Sequence, residues 1–292
     1  MKIELVVALC QKKEIKWLDY GLESILEKTK HEINTTLYLS RCTDSLFSEC
    51  SKLAEKYNIN FEPRGDNSPT HYVNESKHKG FDINNSDCVV NIQPDTFFLK
   101  KNVFDSVMNE ASEYFNSRYF VCVSSDHPDD SLPLGITIHS KLGWEKIGCH
   151  DINFYPHAGD EVDYHRRCYL SYGLDPEDKE YYQKFFDGKT TPPWTHRIRN
   201  KDFLHVGRPW HAEDLRLYTP RHIDYAMQTF FECVLHGRWA QYYIQKWGGH
   251  SGLEEFIRPF NDENNSLKIG WEECENPYQN EHDFVSLRGQ II

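Results

Sequence analysis

The sequence contains none of the short motifs that mark the most familiar nucleotide-binding and hydrolytic enzymes. It has no G-x-G-x-x-G, no G-x-x-x-x-G-K-[ST], no H-E-x-x-H and no G-x-S-x-G. Dinucleotide dehydrogenases, P-loop enzymes, zincins and serine hydrolases are therefore disfavoured. The sequence also lacks any run of 18 apolar residues, so we expect no helix that spans a bilayer.

Cysteine pairs at metal-binding spacing are missing as well. The chain has nine cysteines, an odd number, and no two of them are spaced C-x-x-C. We interpret them as reduced, mostly buried thiols and expect a cytoplasmic protein. The formal net charge of −12 disfavours a broad electrostatic grip on nucleic acid or on an anionic membrane, although a local basic groove stays open.

Strand-like and helix-like segments alternate along the first part of the chain, which predicts an α/β fold with a mostly parallel sheet. Apolar, β-branched runs predict buried strands at 3–10, 35–40, 87–92 and 119–125. Segments with one apolar face predict helices at 17–30, 46–57, 103–115 and, later, 222–247. Because the pattern becomes polar and broken near residue 175, we divide the chain into a core, 1–175, and a C-terminal part, 176–292, that packs on it.

A carboxylate directly follows the third predicted strand. Asp95 comes after Pro94, whose fixed backbone angle shapes the turn. In open α/β sheets, ligands lie outside the carboxyl ends of the strands, so Asp95 is placed to hold a divalent cation. An ordinary turn, which a Pro-Asp pair also favours, explains the residue equally well.

The stretch "AGDEVDYHRR" combines acidic and basic residues behind a run of aromatics. Acidic residues in the first turn stabilise a helix through its dipole, so a purely structural role is open. That role does not explain the arginines that follow at once. The mixture suits the wall of a cleft, where carboxylates face a metal, an anion or a reacting hydroxyl.

A third candidate is His205 in "FLHVGRPWH", which follows a short apolar run. A lone histidine is more often structural than a ligand, and the chain has 15 histidines to choose among. Around His205, basic side chains are interspersed with aromatic residues. Such a strip handles either a donor diphosphate or a nucleic-acid backbone.

Taken in order, these segments resemble the nucleotide-sugar glycosyltransferases of the GT-A fold, in particular the large inverting family 2. "GLESIL", "SRCTD", "SKHKG" and "QPD" are similar in turn to the family's first helix, the turn after its second strand, a donor-contacting helix start and its D-x-D metal motif. "YYIQKWGGHSGLEEFIRPFND" resembles a C-terminal signature of a branch common in phages and bacteria. The resemblance covers about residues 3–260 and implies a Rossmann-like, mostly parallel sheet flanked by helices, with a helical C-terminal extension.

The resemblance implies a role for each matching residue. Asp95 and His205 would hold a divalent cation, Mn or Mg. Glu161 falls on the position of the catalytic base, and Asp160 is its alternative because the order of the two acids is swapped. The implied donor contacts are Ala8, Cys10, Asp44, Lys77, Gln93 and Pro94. The implied contacts with acceptor or phosphate are Asp163, Arg166, Arg167 and Trp210.

The implied activity is that of an inverting hexosyl- or pentosyltransferase that moves a sugar from a nucleoside-diphosphate sugar, with UDP favoured, to an acceptor hydroxyl. The expected acceptor is a glycan or, in a phage, a hydroxymethylated base of DNA in the host cytoplasm. A non-catalytic protein that binds nucleotide sugars or glycans is an alternative, because Gln93 replaces the first acid of the metal motif. A metal-dependent hydrolase or nuclease with the same Asp and His is the other.

Overall fold

The computed structural model describes residues 1–9, 15–39, 44–64, 69–126, 135–154, 159–176, 178, 191–206 and 236–274. Its strands are β1 (Lys2–Leu9), β2 (Glu32–Leu39), β3 (Asn60–Pro63), β4 (Cys88–Ile92), β5 (Thr96–Phe98), β6 (Phe120–Ser124), β7 (Ile136–Ser140), β8 (Thr195–Arg199) and β9 (Phe203–His205). Its α-helices are α1 (Ile15–Leu26), α2 (Asp44–Tyr57), α3 (Pro69–His78), α4 (Val103–Ser112), α5 (Lys141–Ile147), α6 (Asp160–Ser171) and α7 (His236–Trp247). A π-helical turn, Lys79–Ile83, continues α3.

A seven-stranded sheet in the order β3-β2-β1-β4-β7-β6-β8 forms the centre of the protein. All its neighbouring strands are parallel except at β7, which runs antiparallel to both β4 and β6. The predicted α/β fold with a mostly parallel sheet is therefore confirmed. Strands β5 and β9 pair antiparallel in a second, two-stranded sheet.

The central strands are apolar on both faces because helices cover both sides of the sheet. Leu5 and Val7 of β1 pack in one cluster with α1, α2 and α4. Val6, between them, packs on the opposite face with residues of α3 and α5. The even alternation along one strand thus supplies two separate core layers.

The strands that the sequence does not predict are short and carry polar residues. β7 contains Thr137, His139 and Ser140, and β8 reads "THRIR". β8 and β9 lie beyond residue 175, yet they pair with β6 and β5 of the first part. Of the helix predicted at 222–247, the structure describes the part from His236 onward. No helix among the described residues is long and apolar enough to cross a membrane.

Residues 267–274, here called the C-terminal strap, run along α5 and α3. Cys149 N donates to Ile269 O at 2.9 Å, and Ile269 N donates to Ile147 O at 3.1 Å. Gly148 sits beneath this contact with φ of +67°, and a Cβ there would lie 2.0 Å from Ile269 O. Only glycine fits both the backbone conformation and the space. The strap is thereby held directly against the core.

Candidate active site at the carboxyl edge of the sheet

Asp95 and His205 lie side by side at the end of β4. Their Oδ1 and Nε2 atoms are 3.4 Å apart, and each residue is 5% exposed. The pairing of β5 with β9 creates this contact, because Thr96 lies opposite His205 and Val206 N donates to Asp95 O at 2.9 Å. The structure brings together the two residues that the sequence suggests as metal ligands, while their role stays a prediction.

The pair has the donor atoms for a hard divalent cation. Two neighbouring ligands of an octahedral ion at about 2.1 Å lie about 3.0 Å from each other, close to the observed 3.4 Å. Gln93 Oε1 in the same turn is buried and has no hydrogen-bond partner among the described residues. Within the described ranges, no group of three or more His, Cys, Asp or Glu side chains is arranged around a metal position. A cation held by this pair would need other groups, such as water, to complete its shell.

Apart from Lys77, the other predicted donor contacts lie on this edge or outside the described residues. Ala8 is the second-last residue of β1 and pairs with Tyr38 of β2, so both mark the carboxyl edge. Gln93 and Pro94 form the turn after β4, where Gln93 N donates to Gly135 O at 2.9 Å. Cys10, Trp210 and the side chain of Asp44 lie outside the described residues.

The acidic helix start lies on the same edge. Gly159 adopts a φ of +99°, which favours glycine, and α6 begins at Asp160 as predicted. Asp160 Oδ2 accepts a hydrogen bond from Thr70 Oγ1 at 2.7 Å. Thr70 is in the first turn of α3, which starts just after the carboxyl end of β3. This bond fixes Asp160 at the edge, and the neighbouring Glu161 is exposed.

The structure buries the three residues of α6 that are predicted to contact acceptor or phosphate, Asp163, Arg166 and Arg167. Asp163 and Arg167 are both 0% exposed and form an ion pair, with Nε and Oδ2 2.8 Å apart. Arg166 is 2% exposed and donates to Phe256 O at 3.1 Å. The Arg167 guanidinium also donates to backbone carbonyls of Ile147, Cys149 and Leu267. Through the bond from Arg167 to Leu267, this network joins α6 to the strap.

Two residues that the sequence analysis does not single out complete this network. Lys246 of α7 lies 2.6 Å from Asp151 Oδ2 and 2.8 Å from Asp163 Oδ1. We call Asp151, Asp163, Arg167 and Lys246 the buried ionic cluster. Burial raises the pKa of Asp151, but the Lys246 ammonium outweighs this effect and leaves that pKa below its usual value. Nothing in the local spacing reveals these partners, because they are distant in the sequence.

Lys77, a predicted donor contact, is buried as well. The segment "SKHKG" is at the end of α3 and in the π-helical turn, not at a helix start as the resemblance implies. Lys77 is 1% exposed, its Nζ lies 3.1 Å from His150 Nδ1, and it sits 4.6 Å above the Tyr164 ring. Burial lowers its pKa to about 7. The side chain faces a histidine and an aromatic ring inside the protein.

The histidines around Lys77 make the stability of the protein dependent on pH. Burial lowers the pKa of His139 and His150 well below 6.5 and that of His165 to about 4. The unfolded chain therefore binds more protons than the folded one as the pH falls below about 6.5. We expect the contribution of these histidines to the free energy of unfolding to be complete above this pH and to fall by up to about 1.4 kcal/mol per pH unit for each of them.

Urea denaturation between pH 7.5 and 5.5 measures this slope. His139→Leu removes one of the buried groups and should make the slope shallower. His250→Leu, at an exposed position, is the matched control and should leave it unchanged. A stability that is level across this range would show that these histidines are not buried in their neutral form.

Comparison with known proteins leaves the family open. No protein-family model and no curated protein matches the chain. Among solved structures, S. aureus TarS is 13% identical with a TM-score of 0.39, covering 59% of this chain and 34% of its own. The mannosyltransferase PcManGT from Pyrobaculum calidifontis, in complex with GDP-Man and Mn²⁺, is 12% identical with a TM-score of 0.44, covering 82% of this chain and 69% of its own. A cytidylyltransferase from Leptospira borgpetersenii is 10% identical with a TM-score of 0.44, covering 80% and 94%. Likenesses at this level do not decide the activity.

Proposed function

We propose that the protein is a metal-assisted glycosyltransferase that uses a nucleoside-diphosphate sugar as donor. The observation that carries the proposal is the pairing of Asp95 with His205 at 3.4 Å, just past the carboxyl end of β4. Ligands of open α/β sheets lie at this edge. The acidic start of α6 is held on the same edge by the bond from Thr70 to Asp160, so a cation site and a proton acceptor share one side of the sheet.

Asp95 and His205 would hold Mn or Mg, with Gln93 Oε1 beside them in the same turn. When bound, such an ion neutralises the negative charge that develops on a diphosphate leaving group. The acceptor oxygen forms a bond to the anomeric carbon as the bond to the diphosphate breaks. A carboxylate must take the hydroxyl proton in that step. Glu161 is exposed and Asp160 is hydrogen-bonded to Thr70, so we assign the proton transfer to Glu161 and keep Asp160 as its alternative.

The finer parts of the proposal come from the resemblance. We propose UDP-sugars as the favoured donors, with hexosyl or pentosyl transfer to a glycan or to a hydroxymethylated DNA base, in the cytoplasm. Because Lys77 is buried against His150 and Tyr164, we do not assign its ammonium to the donor diphosphate. The cation is then the main positive charge that we propose for the donor site.

A thermal-shift screen with UDP-, GDP-, dTDP- and CMP-sugars in the presence of Mn tests donor binding. We expect one nucleotide class to raise the melting temperature, and the rise to disappear in EDTA. Binding without turnover on any acceptor would favour a non-catalytic binding protein. Release of free sugar at the same rate with and without acceptors would favour a hydrolase. No shift with any donor would contradict the proposal.

A further inference from the structure

A cavity that neither Asp95 nor His205 lines lies between α6, α7 and the C-terminal strap. Its volume is about 170 Å³. Asp151, Lys246 and Arg167 of the buried ionic cluster form its inner wall, and Phe260 and Ser266 belong to its outer wall. We call it the strap pocket. Nothing in the proposed chemistry of the carboxyl edge uses it.

The wall of the strap pocket carries no uncompensated charge. Lys246 is paired with Asp151, and Arg167 is paired with Asp163. The remaining charges of its lining, Lys268 and Glu273, are of opposite sign and exposed. Because an ion needs an opposite charge to compensate for lost hydration, this wall suits a neutral ligand.

The polar groups of the pocket retain capacity for hydroxyl groups. Asn265 donates its amide to Pro259 O at 3.0 Å, and its Oδ1 has no partner within the described residues. Ser266 Oγ accepts from Lys268 N at 2.9 Å, which leaves its hydroxyl hydrogen for a ligand. Such groups both donate and accept, as recognition of a polyhydroxylated molecule requires.

Phe260 supplies an aromatic face at the mouth of the pocket. Its ring is 47% exposed and meets the Tyr242 ring edge-on, with centroids 5.9 Å apart. Its backbone is left-handed, with φ of 58° and ψ of 22°, a conformation that is an outlier for a bulky residue. Such strain costs about 1–3 kcal/mol and clusters at functional sites. Because the Phe260 ring is exposed, packing inside the protein does not explain this strain, whereas contact with a ligand does.

We propose that the strap pocket binds one neutral sugar unit of an oligosaccharide, with Phe260 stacked on the apolar face of the ring. The inner wall includes Arg167, which is about 10 Å of helix rise from Asp160. A short oligosaccharide is long enough to cover this distance, so the proposal places another unit of the same chain at the acidic start of α6. This second statement rests on the proposed function and names the acceptor class as a neutral glycan of several units.

Binding is tested with the full chain and three neutral trisaccharides, chitotriose, maltotriose and mannotriose, by titration calorimetry and ligand-observed NMR. We expect at least one to bind, and Phe260→Ala to weaken it about tenfold, the worth of an aromatic contact. Phe260→Tyr keeps the ring and should keep the affinity. Leu253→Ala removes an apolar residue that is 59% exposed and lies outside the pocket, so it should change nothing.

Two outcomes would overturn the proposal: no binding of any trisaccharide at about 10 mM, or equal affinities of wild type and Phe260→Ala. The readout is separate from sugar transfer. Failure here with donor turnover intact would remove the glycan site and leave the proposed transferase standing. Trisaccharide binding without donor turnover would support the glycan site and contradict the proposed transferase. In an active enzyme, Phe260→Ala should slow transfer to the trisaccharide and leave donor hydrolysis by water unchanged.

Discussion

Asp95→Ala is expected to lower sugar turnover by about a hundredfold or more, comparable to the loss of a preorganised electrostatic group. The carboxylate lies 3.4 Å from His205 Nε2, and its removal leaves the imidazole alone to hold the cation. EDTA should produce a similar loss in the wild type, and added Mn should restore only the wild type. The rate of nucleoside diphosphate release from the donor measures both effects.

Asp87→Ala is a matched control for this experiment. Asp87 immediately precedes β4, whereas Asp95 follows it, and its carboxylate accepts a hydrogen bond from Lys2 N at the opposite edge of the sheet. We expect wild-type turnover from this variant. Full activity of the wild type in EDTA, or of Asp95→Ala in Mn, would show that sugar transfer does not depend on a metal ion held by Asp95.

Glu161→Gln is expected to lower transfer by about 10²–10⁴, the usual contribution of a positioned general base. The substitution keeps the volume and the hydrogen-bonding reach of the side chain but removes the proton acceptor. Donor affinity should stay near that of the wild type, because Asp95 and His205 are unchanged. Single-turnover kinetics together with donor titration separate the two effects.

Asp160→Asn decides between the two acids. If Glu161 is the base, this variant loses only the bond from Thr70, and Thr70→Val should reproduce its modest effect. Loss of transfer in Asp160→Asn with activity retained in Glu161→Gln would assign the base to Asp160. Normal transfer by both variants would show that the acids serve only to begin α6.

Much of the fold is predictable from the sequence because its signals are local. The apolar runs of β1, β2, β4 and β6 predict buried strands, and the acidic turn predicts the start of α6 at Asp160. Asp95 is predictable for a related reason, since a carboxylate that follows a parallel strand must lie at the ligand-binding edge. Short strands such as β3 and β7 carry too few apolar residues to be recognised in isolation.

The burial of Asp163 and Arg167 on α6 cannot be predicted from the local sequence. Asp163 and Arg167 are spaced i, i+4, which suits an exposed ion pair, a cleft wall and a buried pair equally well. Their burial is decided by Lys246 and by the carbonyls of Ile147 and Leu267, which come from distant segments. Lys77 is similar, because His150 encloses it only once the sheet has assembled.

The most direct test of the account is the release of nucleoside diphosphate from UDP-, GDP- and dTDP-sugars by the wild-type protein, with a neutral trisaccharide as acceptor, in Mn and in EDTA. The account predicts that one donor class is turned over in Mn, that EDTA abolishes the release, and that Asp95→Ala remains inactive in Mn. Equal release in Mn and EDTA, or no release from any donor, would contradict it.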